Sequence, residues 1–127
     1  MQEKNLFEYA VIRIVPRVER EEFLNTGVIL YCPKQKFLKC LCSVNDDRLD
    51  AFFDQIDKVE LKEHLHSFAQ ICMGSKDGGP IAQLDDASRF RWLTATRSTV
   101  VQTSKVHPGL CTDPAETIEK LYGQLVL

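Results

Sequence analysis

Three arginines and the only tryptophan lie close together in the segment SRFRWLTATRSTVVQTS, Ser88–Ser104. A guanidinium presents a planar fork of donors that suits a phosphate or a carboxylate, and it also stacks on aromatic rings. Between Asp86 and Asp113 the chain contains no acidic residue and four basic ones, in a protein whose total net charge is −2. Positive charge is therefore concentrated in this segment, which is either a site for a negatively charged ligand or a helix and strand that are docked by ordinary packing.

Helix geometry limits which of these arginines can share a ligand. If Ser88–Ala95 is helical, Arg89 and Arg91 point about 200° apart, so they cannot both grip one small anion. Arg89 follows Asp85 by four residues and is expected to form a local surface ion pair with it. The aromatic residues of the segment are expected to pack in the core rather than to stack on bases.

Arg91 and Arg97 flank the junction between this helix and the strand that is expected after it. Together with Ser98 and Thr99, they predict an anion-binding site if their side chains converge. The structural alternative is that one of the two arginines ties the junction to the carboxylates of Glu19–Glu22 or to free backbone carbonyls. Both interpretations stay open at the level of the sequence.

Patterns for other kinds of chemistry are missing from the sequence. It contains no C-x-x-C pair, no H-x-x-x-H pair, no G-x-S-x-G nucleophile elbow and no G-x-x-x-x-G-K-[ST] phosphate loop. Cys40 and Cys42 would share one strand face, which suits buried thiols. Asp46, Asp50 and Asp54 recur every four residues and predict a solvated acidic helix face rather than a cation site. We expect no metal site and no cofactor.

The strands that must position these residues are predicted by β-branched and apolar runs. FEYAVIRIVP (Phe7–Pro16) and TGVILYC (Thr26–Cys32) are apolar on both faces, which is typical of buried strands, and VEREEFLN between them predicts a loop or a short helical turn. FLKCLCSV (Phe37–Val44) is expected to form a hairpin with the second strand. RSTVVQTSKV (Arg97–Val106) predicts a further strand, and HPGL after it predicts a turn.

Helix signals mark four other segments. The expected N-caps are Asn45 or Asp46, Asp85 or Asp86, and Asp113, which is followed by a proline. A further helix, DKVELKEHLHSFAQICMG, has apolar residues at helical spacing and a stop at Gly74. These elements predict a single α+β domain over residues 1–127, with an antiparallel or mixed sheet of about four strands and three to four helices packed mainly on one face.

Composition bounds the setting of the protein. The chain is 44% hydrophobic and 27% charged, as globular proteins are. The segment MQEKNLFEYAV lacks the apolar run of a signal peptide, and no run is long enough to cross a bilayer. The odd number of cysteines, five, predicts reduced thiols. We expect a cytoplasmic protein without membrane contact, and the net negative charge disfavours duplex DNA as a partner.

Several motifs carry a family resemblance. YAVIRIVP, EEFLNTGVILYCP, FRWLTATRSTVVQTS and HPGL resemble a bacterial family catalogued as domain of unknown function 3037. The patterns Y-x-x-x-R-x-x-P, E-F-x-N-x-G-V-x-x-x-C-P and F-R-W-L-x-x-x-R-S match at Tyr9, Arg13, Pro16, Glu22, Phe23, Asn25, Gly27, Val28, Cys32, Pro33, Phe90, Arg91, Trp92, Leu93, Arg97 and Ser98. Many members have proline before the arginine of the last motif, and Thr96 at that position leaves the turn less rigid.

The resemblance implies a role without naming an activity. Genes of the family tend to lie beside one for a kinase that is similar to the kinases of persistence toxin–antitoxin pairs, which implies an accessory or regulatory partner. The shared polar residues add Arg13 and Asn25 to the candidate site. Arg13 is the most informative of them, because a charge in an otherwise apolar strand needs a partner or a cleft.

Three functional hypotheses follow. The first is a module that binds a protein partner, the neighbouring kinase, without chemistry. The second is an enzyme or sensor for a phosphorylated small molecule or nucleotide, in which Arg91 and Arg97 grip the phosphate and Arg13 or Asn25 assists. The third is nucleic-acid binding through the basic segment.

Overall fold

The computed structural model describes residues 3–53, 56–97 and 99–127 of the chain. In this part of the chain, one antiparallel sheet is formed by β1 (Asn5–Ile14), β2 (Leu24–Cys32), β3 (Phe37–Cys42), β4 (Val101–Thr103) and β5 (His107–Cys111). Strands β3, β2, β1 and β4 follow each other in this order, and β5 pairs with β1 as well. The long strand β1 therefore has β2 on one edge and both short strands on the other.

The helices are α1 (Asp46–Phe52), α2 (Lys58–Met73), α3 (Asp86–Leu93) and α4 (Pro114–Leu125). Each begins after a polar residue whose side chain accepts a hydrogen bond from a first-turn amide, namely Asn45, Asp57, Asp85 and Asp113. Helix α2 ends at Gly74, whose φ of 68° is in the left-handed region that glycine adopts without strain. The α+β architecture that the sequence predicts is confirmed, with one strand more than expected.

The sheet has two buried faces. On one face Ala10, Ile12 and Ile14 of β1 pack in a cluster with residues of α1, α2 and α3. On the other face Phe7 and Val28 pack with residues of α4. Three helices therefore cover one face and the fourth covers the other. Burial on both faces is the reason why β1 and β2 are apolar at both odd and even positions.

A β-bulge in β2 changes which face Asn25 occupies. Ile12 pairs with Gly27 and Arg13 pairs with Asn25, so Thr26 is the extra residue between the two pairs. Because side chains alternate along a strand, the extra residue turns Asn25 to the face of the sheet that α4 covers, where the odd residues of β1 also lie. The bulge thus places the side chains of Arg13 and Asn25 beside each other.

The short connections of the chain are 3-10 turns. Val18–Arg20, in the connection between β1 and β2, forms such a turn, as the charged segment predicted. Lys76–Gly78 and Ile81–Gln83 form two more between α2 and α3. No helix in the described part of the chain combines the length and the apolar character that crossing a membrane requires.

The prediction of a turn at HPGL is wrong, because these residues belong to β5. Pro108 pairs with Glu8. A proline fits there because β5 lies at the edge of the sheet, so its outer side has no further strand to which backbone amides would have to donate. Gly109 lies opposite Phe7, whose ring occupies the space that a Cβ on Gly109 would need. The strand predicted over Arg97–Val106 is shorter in the structure and spans Val101–Thr103. It ends before Ser104, because the Val11 amide of β1 donates to the Ser104 hydroxyl there instead of to a backbone carbonyl.

Candidate functional site

Arg13 lies on β1, on the face of the sheet that α4 covers, and its side chain is half-buried. Its guanidinium carbon Cζ lies 3.9 Å from the centroid of the ring of Phe23, the residue just before β2, in a cation–π contact. The Nε atom is buried without a hydrogen-bond partner. No described residue forms a hydrogen bond or an ion pair with this guanidinium.

Asn25 is the cross-strand neighbour of Arg13. Its Nδ2 donates to the backbone carbonyl of Leu125 at the end of α4, over 3.1 Å. Its Oδ1 is buried and has no partner within the described residues. On the other side of Arg13, Gln102 of β4 is the paired residue, and its side-chain amide donates to the Thr99 carbonyl over 2.9 Å. The site therefore combines an unsatisfied cation, an unsatisfied acceptor and an aromatic ring.

Arg91 of α3 is neutralised by an acid of the sheet. Its two terminal nitrogens donate to the two carboxylate oxygens of Glu8 over 2.9 and 2.6 Å. This hydrogen bonding raises the pKa of the Arg91 guanidinium. Glu8 is an even residue of β1, so the pair lies on the opposite face of the sheet from Arg13. Arg91 is thus a clasp between α3 and β1, and its partner is Glu8 instead of a carboxylate of Glu19–Glu22.

Arg97 follows α3 and stacks on Trp92. Its Cζ lies 3.9 Å from the centroid of the indole, and a terminal nitrogen donates to the Trp92 carbonyl. Burial lowers the pKa of the Arg97 guanidinium. Trp92 itself is 41% exposed, so the expectation that it packs in the core is wrong, whereas Phe90 and Leu93 are buried.

The small hydroxyl residues after Arg97 were also candidates. The Thr99 hydroxyl donates to the Val101 carbonyl over 2.7 Å and supports the start of β4. Ser98 lies outside the described residues. The structure therefore brings Arg13 and Asn25 together, while the hydrogen bonds of Arg91, Arg97 and Thr99 go to three separate places.

Arg89 forms an ion pair with a different acid from the one predicted. Its guanidinium donates to Asp86 over 2.8 Å and to the Leu84 carbonyl over 2.7 Å. Asp85 is occupied as the N-cap of α3, where it accepts from the Ser88 amide over 2.9 Å. The Arg89 side chain is 12% exposed, so this pair lies mostly below the surface.

The acidic row and the thiols have internal roles. Asp46 and Asp50 lie near Lys58, at 3.8 and 2.8 Å, and Asp54 lies outside the described residues. The pKa of the Cys40 thiol is raised to about 12, because the effect of Cys42, which lowers it, is outweighed by a hydrogen bond with Cys72 and by burial. A thiol that stays protonated is a poor nucleophile and a poor metal ligand. Among the described residues, no three His, Cys, Asp or Glu side chains cluster as metal ligands would.

A surface groove of about 380 Å³ separates the end of β3 from α2. It is lined by Cys42, Ser43, Val44, Lys62, Leu65, His66 and Ala69. Lys62 at its rim lies 3.9 Å from Asp46, so the positive charge there is already partly offset. The groove contains none of the residues that the family motifs share.

Residues 9–126 match the family described as "Protein of unknown function (DUF3037)". The chain belongs to the DUF3037 family. The match spans nearly the whole chain, and the membership that the motifs predict is confirmed. No curated protein and no solved structure matches the chain.

Sequence reasoning missed two residues that shape the candidate sites of this DUF3037 protein. Phe23 stacks on Arg13, and a signal was present because it stands between Glu22 and Asn25 in a shared motif. Glu8 binds Arg91 across 83 positions of sequence, and no local pattern could have indicated this pair.

Proposed function

We propose that this DUF3037 protein is a cytoplasmic binding module that captures an anionic group at Arg13, and that it does so without chemistry. One observation supports this most strongly. Of the seven arginines in the sequence, six donate a hydrogen bond to a carboxylate or a carbonyl. Arg13 is the exception among the described residues, although it is half-buried and its Nε has no contact with solvent.

The energetics of burial favour a ligand at this position. A guanidinium that leaves water loses hydration, and a stack on one aromatic ring recovers only part of it. A phosphate or carboxylate can accept two parallel hydrogen bonds from the fork, and a hydrogen bond to a charged group contributes roughly 1.5–3 kcal/mol. An anion at Arg13 would therefore stabilise the folded protein as well as bind to it.

The other candidate residues are less available. An anion at Arg91 would compete with the bidentate bond to Glu8, and one at Arg97 would compete with the Trp92 carbonyl. Arg91, Arg97, Ser98 and Thr99 are therefore secondary candidates for contact with a phosphate in this proposal, each taken singly and not as one site. The free thiols of the chain fit a reducing compartment, and the raised pKa of Cys40 makes that thiol a weak nucleophile.

The kinase implied by the family resemblance is the partner that we propose to test first. Pull-down with the tagged protein from its host, with and without the Arg13→Gln substitution, tests whether a partner depends on this residue. Nucleic-acid binding is the weaker alternative, and it requires an association that weakens steeply with added salt.

The decisive experiment measures anion binding by the purified protein. Inorganic phosphate, acetate and nucleoside monophosphates are titrated while the backbone amide resonances of β1 and β2 are followed by NMR. We expect saturable shifts at Arg13 and Asn25 in the wild type and none in Arg13→Gln. The matched control is Arg17→Gln, which removes an exposed arginine that pairs with Glu19. Equal binding by wild type and Arg13→Gln would refute the proposal.

A further inference from the structure

We infer that the occupant of the Arg13 site is a segment of a partner protein that places a carboxylate beside an apolar side chain. The inference rests on the proposed function and names its ligand class. It depends on three features of the described residues: exposed apolar side chains in the connection between β1 and β2, the absence of another unpaired cation there, and negative charge close to Arg13, at Glu21 and at the end of α4.

The connection between β1 and β2 exposes two large apolar side chains. Phe23, which stacks on Arg13, is 46% exposed, and Val18 is 44% exposed. Glu21 adopts a φ of 56° and closes the 3-10 turn by donating its amide to the Val18 carbonyl. A small hydrophilic anion would leave this apolar area in water, whereas an apolar side chain of a partner would cover it.

The other two arginines of this connection are already paired. Arg17 binds Glu19, and Arg20 binds Glu22, whereas Glu21 has no ion-pair partner among the described residues. Arg13 is therefore the cation of this surface that has no acid partner within the described residues. A partner that complements it needs one negative charge and an apolar neighbour, which a carboxylate side chain in a polypeptide provides.

The end of α4 favours a single negative charge over two. The Leu125 carbonyl accepts from Asn25, so the C-terminal end of the helix lies next to the site. Arg48 offsets part of the negative partial charge there by donating to the Val126 carbonyl over 3.0 Å. The unpartnered Oδ1 of Asn25 is a second negative centre beside Arg13. These centres and the unpaired carboxylate of Glu21 repel an incoming anion, and a phosphate dianion is repelled more than a carboxylate. A carboxylate is therefore the better match.

The test compares three capped peptides and inorganic phosphate by NMR titration at low ionic strength. The peptides carry glutamate flanked by leucines, glutamate flanked by glycines, and glutamine flanked by leucines. We expect the first peptide to bind about fivefold or more tighter than each of the others, since both the charge and the apolar contact contribute. We also expect it to bind more tightly than phosphate.

Two variants and a control assign this preference to the surface. Arg13→Gln should abolish binding of the first peptide. Phe23→Ser should reduce its advantage over the glycine-flanked peptide to about twofold or less. Val59→Ser removes a side chain that is 69% exposed on α2, on the other face of the sheet, and should change nothing. Circular dichroism confirms that each variant is folded.

The outcomes separate this inference from the proposed function. If phosphate or acetate binds at Arg13 but the leucine-flanked peptide gains no affinity, the inference is wrong and the anion site stands. If peptide binding does not depend on Phe23, the inference is also wrong. If no anion shifts the resonances around Arg13, both proposals fail together.

Discussion

Replacement of Gly27 by alanine tests the packing that aligns the candidate site. Gly27 is flanked on both sides, because it pairs with Ile12 of β1 and with Cys42 of β3. A Cβ at this position would lie 2.5 Å from the Leu41 carbonyl oxygen and 2.6 Å from the Cys42 Cβ. Both distances are far below van der Waals contact, and neither atom can turn away as the end of a flexible side chain could.

The expected cost follows from this geometry. Overpacking of a well-packed region typically costs about 1–3 kcal/mol, and obstruction by the partner strand itself places Gly27→Ala in the upper half of that range. Alanine also restricts the unfolded chain, which returns about 0.4–1 kcal/mol. We therefore expect a net loss of about 2 kcal/mol, out of a typical stability of about 5–15 kcal/mol for a protein.

Urea denaturation followed by far-UV circular dichroism measures this loss. The matched control is Gly123→Ala in α4, where a Cβ meets nothing within 4 Å and alanine should add about 0.5–1 kcal/mol. The two substitutions are chemically identical and should shift the midpoint in opposite directions, with similar slopes of free energy against urea. A Gly27→Ala protein within about 0.5 kcal/mol of the wild type would refute the packing argument.

Three further predictions concern local interactions. Asp113→Ala removes the carboxylate that accepts from the Ala115 amide over 3.0 Å, and should cost about 1 kcal/mol in urea denaturation, with Asp113→Asn close to wild type. Glu8→Gln removes the ion pair with Arg91, whose side chain is 58% exposed to solvent. A double-mutant cycle with Arg91→Gln should therefore give a coupling free energy below about 1 kcal/mol. A much larger coupling would contradict the argument that solvent screens this pair. The pKa of Cys40 is raised to about 12 in the folded protein from an ordinary value of 9.0, so the stability that this thiol contributes should be intact below pH 9 and decline as the pH rises above it. In the presence of reductant, Cys40→Ala should make that decline shallower between pH 9 and 10.5, and an unchanged slope would count against the raised pKa.

Elements with local signals could be predicted from the sequence. Asn45, Asp85 and Asp113 cap helices as expected, because an N-cap bond joins groups only two or three residues apart. The apolar stripe of α2 predicted its buried face, and Leu61 and Leu65 lie in the core. The hairpin of β2 and β3 was likewise predicted, since its two strands are neighbours in sequence.

Contacts between distant segments could not be predicted in the same way. The HPGL segment has the composition of a turn, yet it forms β5 because β1 offers an unpaired edge and Phe7 covers Gly109. Asn25 would face α1 to α3 by simple alternation, and only the bulge at Thr26 turns it toward α4. The partner of Arg91 is an acid 83 positions away, which no spacing rule identifies.

The sequence by itself determined the fold class, the places where the helices begin, the family and the short set of polar residues from which a site could be built. Those properties depend on hydrophobic periodicity, capping and motif spacing, which act over a few residues. Only the tertiary structure decided which arginine lacks a hydrogen-bond acceptor among the described residues. That outcome depends on where every acid and carbonyl of the folded chain comes to lie. Glu8 reaches Arg91, while Arg13 stacks on the ring of Phe23 and has no hydrogen-bond acceptor among the described residues.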